Sequence, residues 1–401
     1  GKDMVENDVV KYWEVIVKLI KNILIEIDKP QKIVALSLSS QGETIIPVDR
    51  CGKALRNAIV WLDCRSSGEA EDISKFFNKD EMFRVTGQPS VDPTWPATRI
   101  KWLKVNQPEI FSKTYKFLLL EDYISFKFTG KMFGEKIVYS TSYYYDIKKF
   151  EYYSPILDYL EVKEDKFPEI LTTGTLIGNI SNKAAKETGL AKDTKFVVGA
   201  MDQIAGAIGA GNIKEGIATE TTGTVFAMVV TTDRPQIDLK SRVPCCVHAV
   251  EGKYCLIPYS MTGGMVLKWF KEKSYGEEEK SIKNDIYDLM TREAEMIVPG
   301  CQGLITLPHL TGAYTPENNP DARGVFYGIS INHTRAHFVR SILESVGFMM
   351  RKDIELFSSM GIKIEKIFSM GGGAKSKLWN QIKADITGVE INVPQYTETA
   401  V

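Results

Sequence analysis

Histidine and cysteine are scarce in this chain of 401 residues, which contains four histidines and six cysteines. No two cysteines form a C-x-x-C pair, and no Cys/His cluster has the spacing of a zinc site. We therefore expect thiols, mostly small buried side chains, in a reducing compartment. Three of the four histidines have no acid or nucleophile beside them. A His-centred triad is disfavoured, so any proton transfer falls to a carboxylate.

An excess of charge of one sign is also absent, because 50 Lys and Arg residues balance 51 Asp and Glu residues for a net charge of −1. Nucleic-acid binders and membrane-surface binders usually carry a basic excess, so we expect neither partner. Apolar runs end well short of the ~18 residues that a membrane-spanning helix needs. The polar start, Gly1 to Glu6, does not resemble a signal peptide, and we expect a cytoplasmic protein.

What the sequence does contain is typical of a globular protein, with 44% hydrophobic and 25% charged residues. Its length predicts two or three domains. In the first part, one apolar stripe that includes Trp13, Leu19 and Ile23 predicts a helix over 12–27. A continuous apolar run predicts a buried strand over 32–39.

Small residues and glycines become frequent in the middle of the chain, and we place a domain boundary near Gly211. A short buried strand is predicted over 195–199, and a helix of small residues over 204–211 must pack very close to a neighbour. The two halves predict an α/β protein with a cleft between two lobes. In the second half the pattern predicts strands at 217–231 and 366–370 and helices at 263–273, 283–297, 334–359 and 376–387.

Three glycine turns in the second half follow predicted strands: Thr222-Gly-Thr224, Gly263-Gly264 and Gly371-Gly-Gly373. A glycine there lets the backbone approach a phosphate, and a helix that follows supplies unpaired N–H groups. A single glycine pair is usually only a turn, but three in one half predict phosphate binding. None has the spacing of a P-loop, which excludes that nucleotide site, and none has the dinucleotide fingerprint at a first strand-helix turn, which disfavours a dinucleotide fold.

Asp202 is the strongest candidate for a reacting carboxylate, because it ends a buried strand beside glycine-rich backbone. The same position suits the N-cap of the helix that follows, and both interpretations remain open. In phosphoryl transfer to a hydroxyl, one carboxylate accepts the substrate proton while Mg²⁺ and backbone amides hold the phosphates.

The stretch Gly324–Glu344 resembles the C-terminal signature of the FGGY carbohydrate kinases in its glycine spacing, its His337-Phe338 pair and its closing Glu344. A degenerate N-terminal signature lies near residue 100, with Arg99 where the family usually has Lys. Other motifs fall in the family's order along nearly the whole chain: Ser39–Glu43, Ala58–Arg65, Gly199–Gln203, Thr222–Thr224, Leu307–Gly312 and Gly371–Ala374.

The resemblance implies an α/β, actin-like ATPase (ribonuclease H-like) fold of two lobes with a central nucleotide and sugar cleft. The N-terminal lobe, 1–211, would bind the sugar, and the C-terminal lobe, 212–401, would bind the nucleotide. The implied activity is ATP-dependent phosphorylation of a small sugar or polyol, with ATP and Mg²⁺ as cofactors. The resemblance also suggests a homodimer.

By position, the resemblance implies that Asp202 is the catalytic base and contacts the metal, directly or through water. Trp102 would wall the sugar pocket, although a core tryptophan is an equal alternative. The other implied sugar contacts are Gln41, Gly42, Glu43 and Gln203. The implied nucleotide contacts are Thr222, Gly223, Thr224, Gly264, Lys268, Gly372 and Gly373.

Two departures from the family bear on activity. The Asp-x-Gly-Thr hairpin with which the family begins does not precede Val5, and the family's last helices do not follow Val401. We therefore expect a truncated chain, with weak or no kinase activity if the whole molecule lacks that hairpin.

The substrate is suggested by the loop at Gly42-Glu43-Thr44, where glycerol kinases tend to have Arg-Glu-Thr. Without that Arg, the sequence favours a ketopentose such as xylulose, while glycerol, another polyol or a sugar acid remain alternatives. A catalytically inactive relative that binds sugar or nucleotide is a further alternative. An actin-like ATPase or chaperone without a small substrate ranks last, because the sugar loop would then have no purpose.

Overall fold

The computed structural model describes residues 4–276, 285–396 and 398–400. The chain divides by its internal contacts into two compact units. The first unit comprises Gly1–Ala205 and Cys246–Glu251, and the second comprises Gly206–Cys245 and Gly252–Val401. The lobes predicted at 1–211 and 212–401 have different bounds from these two units, and they stay a prediction.

The first unit is built from short strands and ten helices among the described residues, the last of which continues into the second unit. Its strands are β1 (Glu6–Asn7), β2 (Ala35–Leu36), β3 (Ser39–Ser40), β4 (Ile45–Val48), β5 (Ala58–Ile59), β6 (Lys116–Leu119), β7 (Phe133–Glu135), β8 (Tyr145–Asp146), β9 (Glu151–Tyr152), β10 (Glu169–Leu171), β11 (Leu176–Asn179), β12 (Lys195–Val197) and β13 (Ala200–Met201). Its helices are α1 (Val9–Glu26), α2 (Ser67–Phe76), α3 (Lys79–Thr86), α4 (Pro96–Asn106), α5 (Pro108–Lys113), α6 (Leu120–Thr129), α7 (Lys136–Tyr139), α8 (Ser154–Leu160), α9 (Asn182–Thr188) and α10 (Asp202–Gly209).

The strands of the first unit form several small sheets. A four-stranded sheet has the order β1-β5-β4-β6, and β12 lies between β11 and β2. The pair that matters for the site is β13 beside β3, which run parallel with Met201 opposite Ser40. The carboxyl ends of these two strands therefore meet at one edge.

Helix α1 packs on the core of the first unit through part of its apolar stripe. Trp13 is buried and stacks edge-on against Phe128, with 4.9 Å between the ring centroids. Leu19 and Ile23, which the predicted stripe includes, are 54% and 52% exposed. The helix predicted over 12–27 is confirmed as Val9–Glu26, and part of its stripe is exposed because an apolar period fixes which residues share a face and not how much of it is covered.

In the second unit, a twisted sheet carries the glycine turns. Its strands are β14 (Ile217–Thr222), β15 (Phe226–Thr232), β17 (Tyr254–Leu256), β18 (Tyr259–Ser260), β21 (Lys366–Met370) and β22 (Glu390–Asn392), and a separate hairpin holds β19 (Ile305–Leu307) and β20 (Val325–Tyr327). Strand β16 (Cys245–Val247) lies at the division between the units. The helices are α11 (Gly264–Ser274), α12 (Ile286–Glu295), α13 (Arg335–Ser359) and α14 (Lys377–Thr387), and a short 3₁₀ helix spans Gly372–Lys375.

Strand β14 is central in this sheet, antiparallel to β15 and parallel to β21. Thr221 lies opposite Met370, so β14 and β21 end side by side. The turns that follow them, Thr222–Thr224 and Gly371–Gly373, consequently leave the sheet at the same edge.

The small residues of α10 allow the close packing that the sequence predicts. A Cβ atom at Gly209 would lie 1.9 Å from the carbonyl oxygen of Thr399. The Thr399 hydroxyl also donates to the carbonyl oxygen of Gly206 at 2.8 Å. A larger side chain at Gly209 would separate these two segments.

Most predicted elements of the second half are confirmed, including the strand at 366–370 and the long helix that spans Arg335–Ser359. The helix predicted over 283–297 is observed as Ile286–Glu295, with 283 and 284 outside the described residues. The prediction of one buried strand over 32–39 is wrong, because the structure has two separate strands there, β2 and β3, and neither is more than partly buried. All six cysteines are thiols. Among the described residues, no helix is long and apolar enough to cross a bilayer.

Candidate active site

In the first unit, the predicted sugar loop and the predicted base follow neighbouring strands. Gln41–Glu43 comes directly after β3, and Asp202 comes directly after β13. A Cβ atom at Gly42 would lie 3.1 Å from Thr141 Oγ1 and 3.5 Å from Met201 Sδ, so the loop runs against the residue that precedes Asp202. The structure thus brings Gln41, Gly42, Glu43 and Asp202 to one edge of the unit.

Arg99 holds the sugar loop through the backbone of Glu43. Its Nη1 atom donates to the carbonyl oxygen of Glu43 at 2.7 Å, and its Nη2 atom donates to those of Trp61 and Asp63 at 2.8 and 3.0 Å. The side chain is fully buried, and this burial lowers the pKa of Arg99 to about 10. Glu43 has a φ of 57°, a left-handed conformation that costs free energy in a non-glycine residue. The guanidinium is therefore a structural clamp on a strained loop.

The Glu43 carboxyl titrates close to neutral pH. Burial, with a smaller contribution from the charges of Asp202 and Asp92, raises the pKa of Glu43 to about 7 against the opposing effects of Thr141 and Arg99. A carboxyl in this range can change its protonation state during catalysis.

Asp202 is both the first residue of α10 and a carboxylate with an unoccupied oxygen. The backbone N–H of Gln203 donates to Asp202 Oδ1 at 2.7 Å, and no described residue donates to Oδ2. Burial raises the pKa of Asp202, and the Gln203 N–H group partly offsets this rise. The structure makes Asp202 the first residue of α10, and its bond from the next N–H group is not the N2 or N3 bond of an N-cap, so the base interpretation is the one that stays a prediction.

The three remaining predicted sugar contacts are Gln41, Gln203 and Trp102, and fewer observed contacts bear on their roles. The Gln41 Nε2 atom donates to Thr44 Oγ1 at 2.8 Å, and Gln203 is half-buried beside Asp202. The Trp102 ring lies 4.9 Å from the guanidinium carbon of Arg65. Among the described side-chain contacts, none joins Trp102 to Glu43 or Asp202, and its role as a pocket wall stays a prediction.

In the second unit, a cavity of about 730 Å³ is lined by every residue that the resemblance implies for the nucleotide. A volume of this size suits a ligand of a few tens of atoms. The predicted residues among its walls are Thr222, Gly223, Thr224, Gly264, Lys268, Gly372 and Gly373.

The three glycine turns contact one another at the base of this cavity. The Gly264 N–H group donates to the carbonyl oxygen of Gly223 at 2.7 Å, and a Cβ atom at Gly264 would lie 2.5 Å from that oxygen. A Cβ atom at Gly373 would lie 2.7 Å from the Cβ atom of Thr222. Glycine is required at both positions, because a Cβ atom would meet a backbone oxygen at Gly264 and the Thr222 side chain at Gly373. Helix α11 begins at Gly264, and the N–H groups of Gly264 and Met265 donate to the carbonyl oxygens of Gly223 and Thr224, which ties the start of the helix to the turn.

Several cavity residues were not predicted as site residues. Asp288 and Arg292 come from α12, and Trp379 comes from α14. The sequence predicts both helices but carries no motif on them that indicates a ligand. Only the chain fold places their side chains beside the turns.

Among the described residues, no group of three or more His, Cys, Asp or Glu side chains is placed to hold a metal ion. Mg²⁺ often keeps several waters and binds through one or two carboxylates and the phosphates of its nucleotide. Asp202, with its Oδ2 atom unoccupied, fits such a contact and not a closed protein cage.

Comparison with known protein families gives two matches that together span most of the chain. The N-terminal domain of the FGGY family of carbohydrate kinases matches residues 1–209, and the C-terminal domain of that family matches residues 219–401.

Among curated proteins, the chain is 30% identical to gluconokinase from Bacillus subtilis (strain 168), over 92% of this chain and 73% of that protein. It is 28% identical to xylulose kinase from the same organism, over 89% of this chain and 70% of that protein. These two relatives differ in the sugar that they are named for.

Solved structures give the same result. Gluconate kinase from Lactobacillus acidophilus superimposes with a TM-score of 0.89 at 26% identity, covering 100% of this chain and 79% of that chain. Xylulose kinase from the same organism superimposes with a TM-score of 0.88 at 26% identity, covering 100% of this chain and 80% of that chain.

Proposed function

We propose that this chain, which belongs to the FGGY family of carbohydrate kinases and has their actin-like ATPase fold, transfers the γ-phosphoryl group of ATP to a hydroxyl of a small sugar or polyol. Asp202 acts as the general base. The observation that carries the proposal is the meeting of Asp202 with the loop Gln41–Glu43 at the ends of two parallel strands.

The reaction needs one group that accepts the proton of the sugar and one set of hydrogen-bond donors that hold the phosphates. As the sugar oxygen attacks the γ-phosphorus, its proton passes to Asp202 Oδ2, the new P–O bond forms, and the bond to ADP breaks. The raised pKa of Asp202 supports this role, because a stronger base takes the proton more readily. In the second unit, the backbone N–H groups of Thr224 and of the turn at Gly371–Gly373 hold the phosphates, while the Gly223 N–H group donates to the carbonyl oxygen of Val225.

Mg²⁺ would travel with ATP and neutralise charge on the phosphates. Asp202 would contact it directly or through water, as the open Oδ2 atom allows. The chain's own contribution is to orient the sugar hydroxyl and accept its proton.

Within the family, we infer that a neutral ketopentose such as xylulose is favoured over an ionised sugar acid. Glu43, Asp202 and Asp92 place three carboxyl groups around the loop, and their mutual effect on the pKa of Glu43 shows that their charges interact. The guanidinium of Arg99 is committed to three carbonyl oxygens. A carboxylate substrate would meet repulsion from these carboxyl groups, which the charge of Arg99 offsets only in part. Gluconate, glycerol and other polyols are the alternatives that the relatives' names keep open.

The test is ADP release by the complete protein with ATP, Mg²⁺ and a panel of pentuloses, hexuloses, polyols and sugar acids. Asp202→Asn should lower the sugar-dependent rate by about 10²–10⁴-fold. Asp193→Asn, an exposed aspartate in the same unit, is the matched control and should leave the rate unchanged. Undiminished turnover in the Asp202 variant would remove this residue from the base role. Calorimetric binding of sugar and ATP without any turnover by the parental protein would instead identify an inactive relative.

A further inference from the structure

A pair of opposite charges lies fully buried beneath the turn that follows β14. Lys383 Nζ is 2.5 Å from Glu220 Oε1, and neither side chain has any exposed surface. Removing two charges from water is costly, and their attraction alone often does not repay the cost. An interior pair of this kind therefore calls for a role beyond stability.

Both members of the pair bind the hydroxyl of Thr222. The Thr222 hydroxyl donates to Glu220 Oε2 at 2.7 Å and accepts from Lys383 Nζ at 3.1 Å. A hydroxyl has one proton to donate, and here that proton is directed into the protein. Thr222 consequently cannot donate through its side chain to a phosphate, and what it presents to the cavity is the backbone of its turn.

A second branch of the network leads to the turn that follows β21. The Ser369 hydroxyl lies within hydrogen-bonding distance of both Glu220 Oε1 and Asn380 Oδ1 and shares its single proton between them. The Asn380 Nδ2 atom then donates to the carbonyl oxygen of Ala374 at 2.7 Å, inside the 3₁₀ turn Gly372–Lys375.

One helix thus reaches both turns. Asn380 and Lys383 are three residues apart in α14, so they lie on the same helical face. Lys383 binds the first turn and Asn380 binds the second. The ammonium group of Lys383 also lies 5.1 Å from the centroid of the Trp379 ring, which lines the cavity.

We propose that Lys383, paired with Glu220, is a positioning residue for the nucleotide site. The pair fixes Thr222 directly and the Gly372–Lys375 turn through Ser369 and Asn380, so that the N–H groups of Thr224 and of Gly371–Gly373 point at the phosphates. The charge of Lys383 is neutralised by Glu220 and is not exposed, so it orients the turns and does not attract the nucleotide. This inference rests on the proposed function, in which the cavity binds ATP.

The central variant is the double change Lys383→Met with Glu220→Gln, which removes both charges together and keeps the side chains close in size. A neutral replacement of a buried pair is tolerated far better than the loss of one partner. We expect its melting temperature to stay near that of the parent, whereas Lys383→Met alone should melt much earlier. The Kd for ATP and for ADP, measured by calorimetry, should rise about 10-fold or more in the double variant, since small displacements of positioning groups are costly.

A second pair of variants tests the same contact without touching a charge. Thr222→Val removes the hydroxyl and should weaken nucleotide binding, whereas Thr222→Ser retains the hydroxyl and should bind like the parent. Combining Thr222→Val with the double variant should add little further loss, because all three residues act through one contact. The KM for the sugar should not change in any of these proteins, which separates positioning at the nucleotide from general damage.

The matched control is Arg340→Met with Glu344→Gln, another buried ion pair of the second unit, with Nε 2.8 Å from Oε1. Its loss should leave the Kd for ATP unchanged. If the parental protein binds neither ATP nor ADP, the proposed function of the cavity fails. If the parent binds them, and the double variant and Thr222→Val both bind with the parental Kd, the positioning role is overturned. If the double variant fails to fold, the comparison of Thr222→Val with Thr222→Ser decides the question.

Discussion

Gly373 and Thr222 pack so closely across β21 and β14 that a Cβ atom at Gly373 would lie 2.7 Å from the Cβ atom of Thr222. The Thr222 Cβ atom cannot swing away, because it belongs to a buried strand end whose hydroxyl is bound by Glu220 and Lys383. The two glycine turns are therefore in direct contact, and the fit between them tolerates no side chain at Gly373.

We expect Gly373→Ala to push the two turns apart. The free energy of unfolding should fall by about 1–3 kcal/mol from overpacking, and the Kd for ATP should rise. Gly372→Ala is the matched control for stability, since a Cβ atom there would meet nothing within 4 Å. Thermal unfolding and calorimetry measure both effects. A Gly373 variant that melts with the parent would show that the turns are not packed in this way.

The pKa of Glu43, raised to about 7 from an ordinary value of 4.5, predicts a pH dependence. Above about 7 the group is a carboxylate that can accept from sugar hydroxyls, so kcat/KM for the sugar should rise with pH through this value. Glu43→Gln should abolish that inflection. An inflection that persists in this variant would assign it to another group.

The same shift has the opposite effect on stability. Between pH 4.5 and about 7 the native protein holds a proton that the unfolded chain has lost. The free energy of unfolding should therefore decrease as the pH rises through this window, and the slope should be smaller in Glu43→Gln. Urea unfolding at several pH values measures it, and equal slopes in the two proteins would contradict the prediction.

Arg99→Lys should loosen the sugar loop, because one ammonium group cannot reproduce the bonds of a planar guanidinium to the carbonyl oxygens of Glu43, Trp61 and Asp63. We expect a loss of about 2 kcal/mol in stability and a higher KM for the sugar, with the Kd for ATP unchanged. Arg50→Lys, an exposed arginine that stacks on Tyr115, should change neither. If Arg99→Lys keeps the stability and the KM for the sugar of the parent, charge alone holds the loop and this prediction is contradicted.

Gly199 allows the strand that leads to Asp202 to run beside β3. A Cβ atom there would lie 1.7 Å from the carbonyl oxygen of Leu38, so Gly199→Ala should destabilise the protein by more than about 3 kcal/mol. Gly68→Ala should have the opposite sign, a gain of about 0.5–1 kcal/mol, because Gly68 lies in α2 with nothing within 4 Å of its Cβ position. Chemical denaturation of both variants checks the pair.

The parts of the site that could be predicted from sequence are those carried by local pattern. A strand followed at once by glycines, as at Lys366–Gly373, places a turn at a sheet edge wherever the sheet lies in the fold. Asp202 could be predicted in the same way, because it comes directly after a strand. The register of β14 with β21 then places the turns at Thr222–Thr224 and Gly371–Gly373 side by side. The sequence shows that both turns exist but not that they are neighbours.

The buried pair could not be predicted in this way. Lys383 lies in a helix whose sequence suits a solvated face, and Glu220 is 163 positions away in the chain. Nothing local to either residue indicates that both are buried. Their partnership arises from the stacking of α14 on β14 and β21, as the clamp by Arg99 arises from three segments that meet only in the fold.

The hydrogen bond from the Gln203 N–H group to Asp202 Oδ1 makes the proposed base directional. A carboxylate with both oxygens open could serve hydroxyls on either side, but here one oxygen is bonded to the start of α10, and Oδ2 is the oxygen to which no described residue donates. A sugar carries several hydroxyls of similar acidity. The one that is phosphorylated is then selected by where the loop Gln41–Glu43 orients it toward that single oxygen, so regioselectivity is a property of the backbone at Asp202 as much as of the pocket that holds the sugar.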